Sequence, residues 1–186
     1  MSSVPYEIIR SSRRSVSLQI RPDGTVLVRC PRQMPEREVR AFVESKRDWL
    51  TFHLGRIAAR PSLPALTEVQ RKALAAKAKE ILPRKAGFWA EKVGVTYGNI
   101  TLRMQKTRWG SCSIKGNLNF NLLLMLAPES VQDYVVVHEL CHRKEMNHSD
   151  RFWAQVQRVL PDYRTQVRWL KENGGALMLR GFGEDL

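Results

Sequence analysis

Cysteine is scarce in this chain. Its 186 residues hold three, Cys30, Cys112 and Cys141. An odd count with no Cys-x-x-Cys pair argues against a disulfide framework. Long apolar runs are also missing. The longest is Leu122–Ala127, far short of the ~20 residues that span a bilayer. The N-terminus, MSSVPYEIIRSSRR, has no apolar segment of the kind found in signal peptides, so the expected location is the cytoplasm with no membrane partner. Acidic residues are in the minority, 18 against 31 Lys and Arg, and the formal net charge is +13. The excess is spread along the chain and leans toward the N-terminal third. Such a surface attracts polyanions; solubility without a specific partner is the equal alternative. With 43% hydrophobic and 26% charged residues, the composition is that of a folded globular protein. There is no internal repeat and no low-complexity tract.

Strand signals come first. Val16, Leu18 and Ile20 alternate with polar residues, Pro22-Asp23-Gly24 marks a turn, and Val26, Val28 and Cys30 alternate again, which predicts a hairpin. From Glu36 one helix is expected, with Val39, Phe42, Val43, Trp49, Leu50, His53, Leu54 and Ile57 at helical spacing. A lone His53 on its apolar side is read as structural. The two prolines of residues 59–66 make that stretch the expected linker. Thr67 and Gln70 match a capping box opening a helix to Val93, kinked at Pro83 and stopped by Gly94. Ile100, Leu102 and Met104, then Leu118, Phe120 and Leu122, predict two strands with Lys115-Gly116-Asn117 as the turn between them. Pro128 opens a helix over about 128–144, Ser149 caps another, and a last helix over 163–171 is expected to stop at Asn173-Gly174-Gly175.

The chemistry sits in VVVHELCHRKEMNH. His138 and His142 lie four apart, one turn apart on one helical face, so both imidazoles can bind one metal ion. Glu139 is placed to take a proton from a water that zinc has made acidic and to pass it to a leaving group. His148 follows His142 after five residues, and a catalytic zinc takes three protein ligands with a fourth position open. At this spacing metzincins turn on a glycine, but here the corresponding residue is Glu145. A left-handed Asn147 is the expected substitute, with Ser149 capping the next helix. The alternative makes His148 a capping-region residue and a downstream carboxylate such as Glu172 the third ligand. Arg108, in the run RWGSCS, suits a developing oxyanion, a phosphate or a carboxylate. A purely structural arginine is the equal alternative. Gly110 permits a bulge or a close approach of backbone. Trp109 is read as core, Cys112 as a small buried residue or a thiol near the cleft, and Cys141 as packing.

The run Thr107–Ser113, the pair Asn119 and Asn121, the segment Tyr134–His142, and Asn147-His148-Ser149 with Phe152-Trp153 resemble the YgjP-like metallopeptidase-domain family. The N-terminal hairpin and the Ser45–Trp49 segment share in the resemblance. It implies an α+β fold with a zincin-like metallohydrolase core, a small sheet plus an active-site helix. It also implies one Zn²⁺ held by His138, His142 and His148, with Glu139 as base. The expected division is an N-terminal hairpin and helix module, 1–60, and a core, 61–186, or one continuous domain. Peptide cleavage is the leading expectation. Nucleotide pyrophosphatase activity toward uridine triphosphate has also been attributed within the family, which makes a phosphoanhydride hydrolase the second. A nucleic-acid-binding accessory role through Arg37, Arg40, Lys46, Arg47, Arg56 and Arg60 is the third. Those residues alternate with Glu36, Glu38, Glu44 and Asp48, as on a solvated helix face.

Overall fold

The computed structural model describes residues 4–59 and 64–182. They fall into two compact units, one on either side of residue 63. Half of the expected linker, residues 60–63 with Arg60, lies outside the described residues.

The first unit is built on a three-stranded sheet: β1 (Tyr6–Ser11), β2 (Ser17–Ile20) and β3 (Val26–Pro31), in the order β1-β3-β2. The β2–β3 hairpin is antiparallel, with Leu18 opposite Val28. Its turn is set by Asp23, whose Oδ1 accepts the Thr25 N–H at 2.8 Å, as Asx-turns do. Val26, Val28 and Cys30 face the core of this unit, and Leu27 on the other face is buried as well. β1 pairs parallel to β3, with Ile8 opposite Val28. Sequence reasoning missed this strand, although Tyr6 and Ile8 carry a short alternation.

Over the sheet lie α1 (Glu36–Glu44) and α2 (Arg47–Ala58), whose Val39, Val43 and Leu50 join the core of this unit. The single helix expected from Glu36 is thus two. Lys46 leaves helical geometry at φ −109°, ψ 13°, and the Ser45 hydroxyl donates to the Phe42 carbonyl at 2.7 Å, a local bond that competes with the helix ladder. Periodicity hid the break because Val43 and Leu50, two turns apart, stay on one face. Trp49 and Phe52 are exposed, and His53 packs on Trp49 with ring centroids 4.4 Å apart.

The second unit opens with α3 (Glu68–Val93). Both capping-box bonds are present: Gln70 N–H to Thr67 Oγ1 at 3.2 Å and Thr67 N–H to Gln70 Oε1 at 3.0 Å. The helix runs on through Pro83 and ends at Gly94, left-handed at φ 77°. A second sheet has the order β4-β6-β5, from β4 (Ile100–Arg103), β5 (Gly110–Cys112) and β6 (Leu118–Asn121). β4 and β6 are parallel, and the antiparallel partner of β6 is β5. The turn at Lys115-Gly116-Asn117 therefore joins β5 to β6 rather than β4 to β6. β5 lacks the alternating apolar residues that signal strands, so only its neighbours were legible.

After a 3-10 turn (Leu122–Leu126) come α4 (Glu129–Cys141), α5 (Asp150–Val159) and α6 (Tyr163–Phe182). Ala78, Leu82 and Ala86 of α3 share one core with Val136, Val137 and Leu140 of α4 and with Phe120 of β6. The small alanines let α4 lie close to α3. At the solvent edge of that contact the Lys85 ammonium bonds Asp133 Oδ1 at 2.7 Å, and the Trp89 indole N–H donates to the same oxygen at 2.8 Å. α6 does not stop at Gly174-Gly175. A side chain at Gly174 would press on Trp109 (Cζ2 3.2 Å away), and one at Gly181 on Leu123 (2.6 Å). These glycines serve close packing, not termination.

Candidate metal centre

α4 delivers the site because it is buried nearly all round: Val135, Val136, Val137, Leu140 and Cys141 are in the core. Its last turn presents His138 and Glu139, and His142 is its C-cap residue. The chain then turns sharply. Arg143 donates to the carbonyls of Thr96 (3.1 Å) and Ile114 (3.0 Å), and Lys144 to that of Val93. These bonds hold the turn that swings His148 back over the helix. No non-glycine residue among the described ones has a positive φ, so the left-handed Asn147 is corrected. Its side chain does the work instead: Asn147 Oδ1 accepts the Ser149 N–H at 3.2 Å. Ser149 does hold the N-cap position of α5, but its own hydroxyl makes no capping bond and has no partner.

The three imidazoles come together. One ring nitrogen from each of His138, His142 and His148 lies within 4.8 Å of the others, and Glu172 is not part of the group. The His138 and His148 Nε2 atoms are 3.0 Å apart. Two nitrogens sharing a tetrahedral zinc at ~2.0–2.1 Å sit roughly 3.3 Å from one another, so the donor set and its spacing fit such an ion. The rings are oriented from behind. His142 Nδ1 donates to the Glu145 carbonyl at 3.0 Å, which leaves its Nε2 lone pair free for a metal. His138 Nδ1 meets the Tyr134 hydroxyl at 3.4 Å. Phe152 stacks on His142 at 4.6 Å, and Trp153 on His148 at 5.8 Å. Burial, with the neighbouring imidazoles His142 and His148 adding to it, pushes His138 down to about 3. Burial also lowers His142. In both, burial favours the neutral imidazole, the form in which histidine can bind a metal ion.

Glu139 is 6% exposed. Burial raises its carboxyl to about 8, and the Arg108 charge pulls the other way. Arg108 is exposed and lines the same open cleft of about 310 Å³, together with Gly110, Cys112, Met146 and the histidines. Cys112 is thus a partly exposed cleft residue rather than a buried one, and burial raises its thiol. Cys141 packs in the core as expected, its thiol pushed up by burial to about 11. Trp109 packs at the edge of the core. Sequence reasoning missed Tyr134 and Met146. Tyr134 was findable, since it lies one helical turn before His138.

The YgjP-like metallopeptidase domain matches residues 14–73 and 62–173. The chain belongs to the YgjP-like family. Its members' metallopeptidase-type, metal-binding hydrolase character is what the histidine cluster leads one to expect. Two solved structures are similar to part of this family member. The metallopeptidase zymogen of Pyrococcus abyssi abylysin is 21% identical, with 50% of this chain and 94% of that chain covered at a TM-score of 0.45. The metallopeptidase zymogen of Methanocaldococcus jannaschii jannalysin is 17% identical, with 48% and 96% covered at 0.41. Comparison with curated proteins gives no match. No helix among the described residues is long and apolar enough to cross a membrane.

Proposed function

We propose that this chain is a zinc-dependent peptidase in which His138, His142 and His148 hold the ion and Glu139 is the general base. When bound, zinc supplies Lewis acidity that polarises a carbonyl and brings the acidity of water near neutrality. The protein's own groups do the rest. In its ionised form Glu139 takes a proton from the attacking water and delivers it to the leaving amine. Arg108, exposed on the cleft wall, offers a guanidinium to the developing oxyanion or to a substrate carboxylate.

The observation that carries the peptide reading is the position of β5. It is one of the two edge strands of its sheet, and its three residues line the cleft beside Glu139. An edge strand pairs with an extended peptide through main-chain hydrogen bonds. A nucleoside triphosphate needs several converging cations, and among the described residues Arg108 is the one arginine or lysine that lines this cleft. The nearby Arg143 and Lys144 are engaged with backbone carbonyls. The test is to give the zinc-loaded protein an unstructured protein and, separately, nucleoside triphosphates. New peptide termini, abolished by Glu139→Gln, are expected. Release of pyrophosphate or phosphate without peptide cleavage would replace this reading with the phosphoanhydride one.

A further inference from the structure

We infer that Gly110 is a positioning residue that seats the Glu139 carboxyl, an inference that rests on Glu139 being the base. A Cβ at Gly110 would lie 2.6 Å from Glu139 Oε1, 2.7 Å from its Cγ and 2.9 Å from its Cδ. Non-bonded carbon atoms rest at ~3.5–4.0 Å. Glu139 therefore fills the space that any other residue at position 110 needs. All three of the nearest atoms belong to that one side chain. The backbone at Gly110 gives no competing reason for glycine, because the glycines with positive φ are Gly24, Gly94 and Gly116.

The two backbones are held, so a clash can be relieved only by moving the Glu139 carboxyl. Glu139 is buried on a helix that is itself in the core. Gly110 pairs with Phe120 of β6, which is fully buried. The Trp109 carbonyl just before it accepts the Asn121 N–H at 2.9 Å. Asn121, wholly buried, also donates its amide to the carbonyls of Gln105 (2.7 Å) and Arg108 (3.0 Å). The approach to β5 is thus tied to β6 by one side chain. The main chain of β5 is a fixed wall, and its missing side chain sets where the carboxyl stands relative to the three imidazoles. In the RWGSCS run the glycine serves Glu139, some thirty residues away.

The test is a double-mutant cycle read by thermal unfolding. Gly110→Ala is expected to lower Tm by about 5 °C, as overpacking does in a protein of this size. In the Glu139→Ala background all three close contacts are gone, so the same change should leave Tm unchanged or raise it. The zinc content of Gly110→Ala should stay at the wild-type level, while kcat on an unstructured protein falls about 100-fold, the cost of a displaced catalytic group, with KM unchanged. A Tm loss that persists in the Glu139→Ala background overturns the seat, and so does wild-type turnover by Gly110→Ala. If Gly110→Ala does not fold, the double variant decides: folding like Glu139→Ala supports the seat, and failure overturns it. Full coupling in Tm from a protein that cleaves no peptide supports the seat and refutes only the peptidase reading on which its catalytic meaning rests.

Discussion

Asp133→Ala attacks the contact that holds the site helix against α3. The Asp133 carboxylate receives two bonds through one oxygen, from the Lys85 ammonium at 2.7 Å and the Trp89 indole at 2.8 Å. The Lys85 and Asp133 side chains are only 12% and 19% exposed. Burial pulls the Lys85 ammonium down, but its bonds to Asp133 and Glu129 outweigh this and leave it above the ordinary lysine value. Removing one partner of a fully buried pair costs about 3–5 kcal/mol. Here Glu129 remains at 2.9 Å as a second, exposed partner, so about 2 kcal/mol is the better figure for the charge. The orphaned indole adds about 1 kcal/mol. The total of about 3 kcal/mol lowers Tm by about 6–12 °C. Urea or thermal denaturation measures it, with the exposed Glu129→Ala as the control, expected to unfold like wild type. A raised lysine contributes stability that is present below its unfolded pKa and lost as pH rises through the higher folded one. The Asp133→Ala deficit should therefore be constant from pH 6 to 9 and shrink only above the unfolded-lysine range near ~10.4. A deficit under about 1 kcal/mol, or one equal to that of Glu129→Ala, would refute the reasoning.

Three further outcomes follow from the same geometry. Tyr134→Phe removes the hydroxyl beside His138 Nδ1 and should weaken zinc binding about 10-fold, measured by competition with a chelator. Asn121→Ala leaves the Gln105 and Arg108 carbonyls without their donor and the Leu123 N–H without its acceptor. It should destabilise by about 2–4 kcal/mol, read by denaturant titration; a neutral result would sink the anchoring role. The His138 imidazole is held low in the folded protein, so the unfolded chain takes up its proton first as pH falls through ~6.5. In chelator-treated protein, the Tm of His138→Gln relative to wild type should rise steadily from pH 6.5 to 4. A pH-independent difference would contradict the burial argument.

Residue spacing made the histidine cluster legible. His138, Glu139 and His142 share a helix, so their neighbourhood is fixed by the 3.6-residue period. His148 was placed by its distance along the chain, but the route to it was not. Asn147 bridges with its side chain, and Arg143 and Lys144 hold the turn through carbonyls far off in sequence. The hairpin and the capped α3 were readable because their signals are local. β5 was not, because Gly110-Ser111-Cys112 is shaped by its partner strand and by Glu139 rather than by its own alternation. Gly174 misled for a related reason: glycine reads as a stop, yet there it makes room for Trp109.

X-ray absorption at the zinc edge, on protein reconstituted with one equivalent of zinc, bears most directly on the central claim. Three imidazole nitrogens at about 2.0–2.1 Å with a single further light atom are expected. His142→Ala should fail to retain the ion. A sulfur ligand at about 2.3 Å, a fourth imidazole or carboxylate from the protein, or full zinc retention by His142→Ala would contradict it.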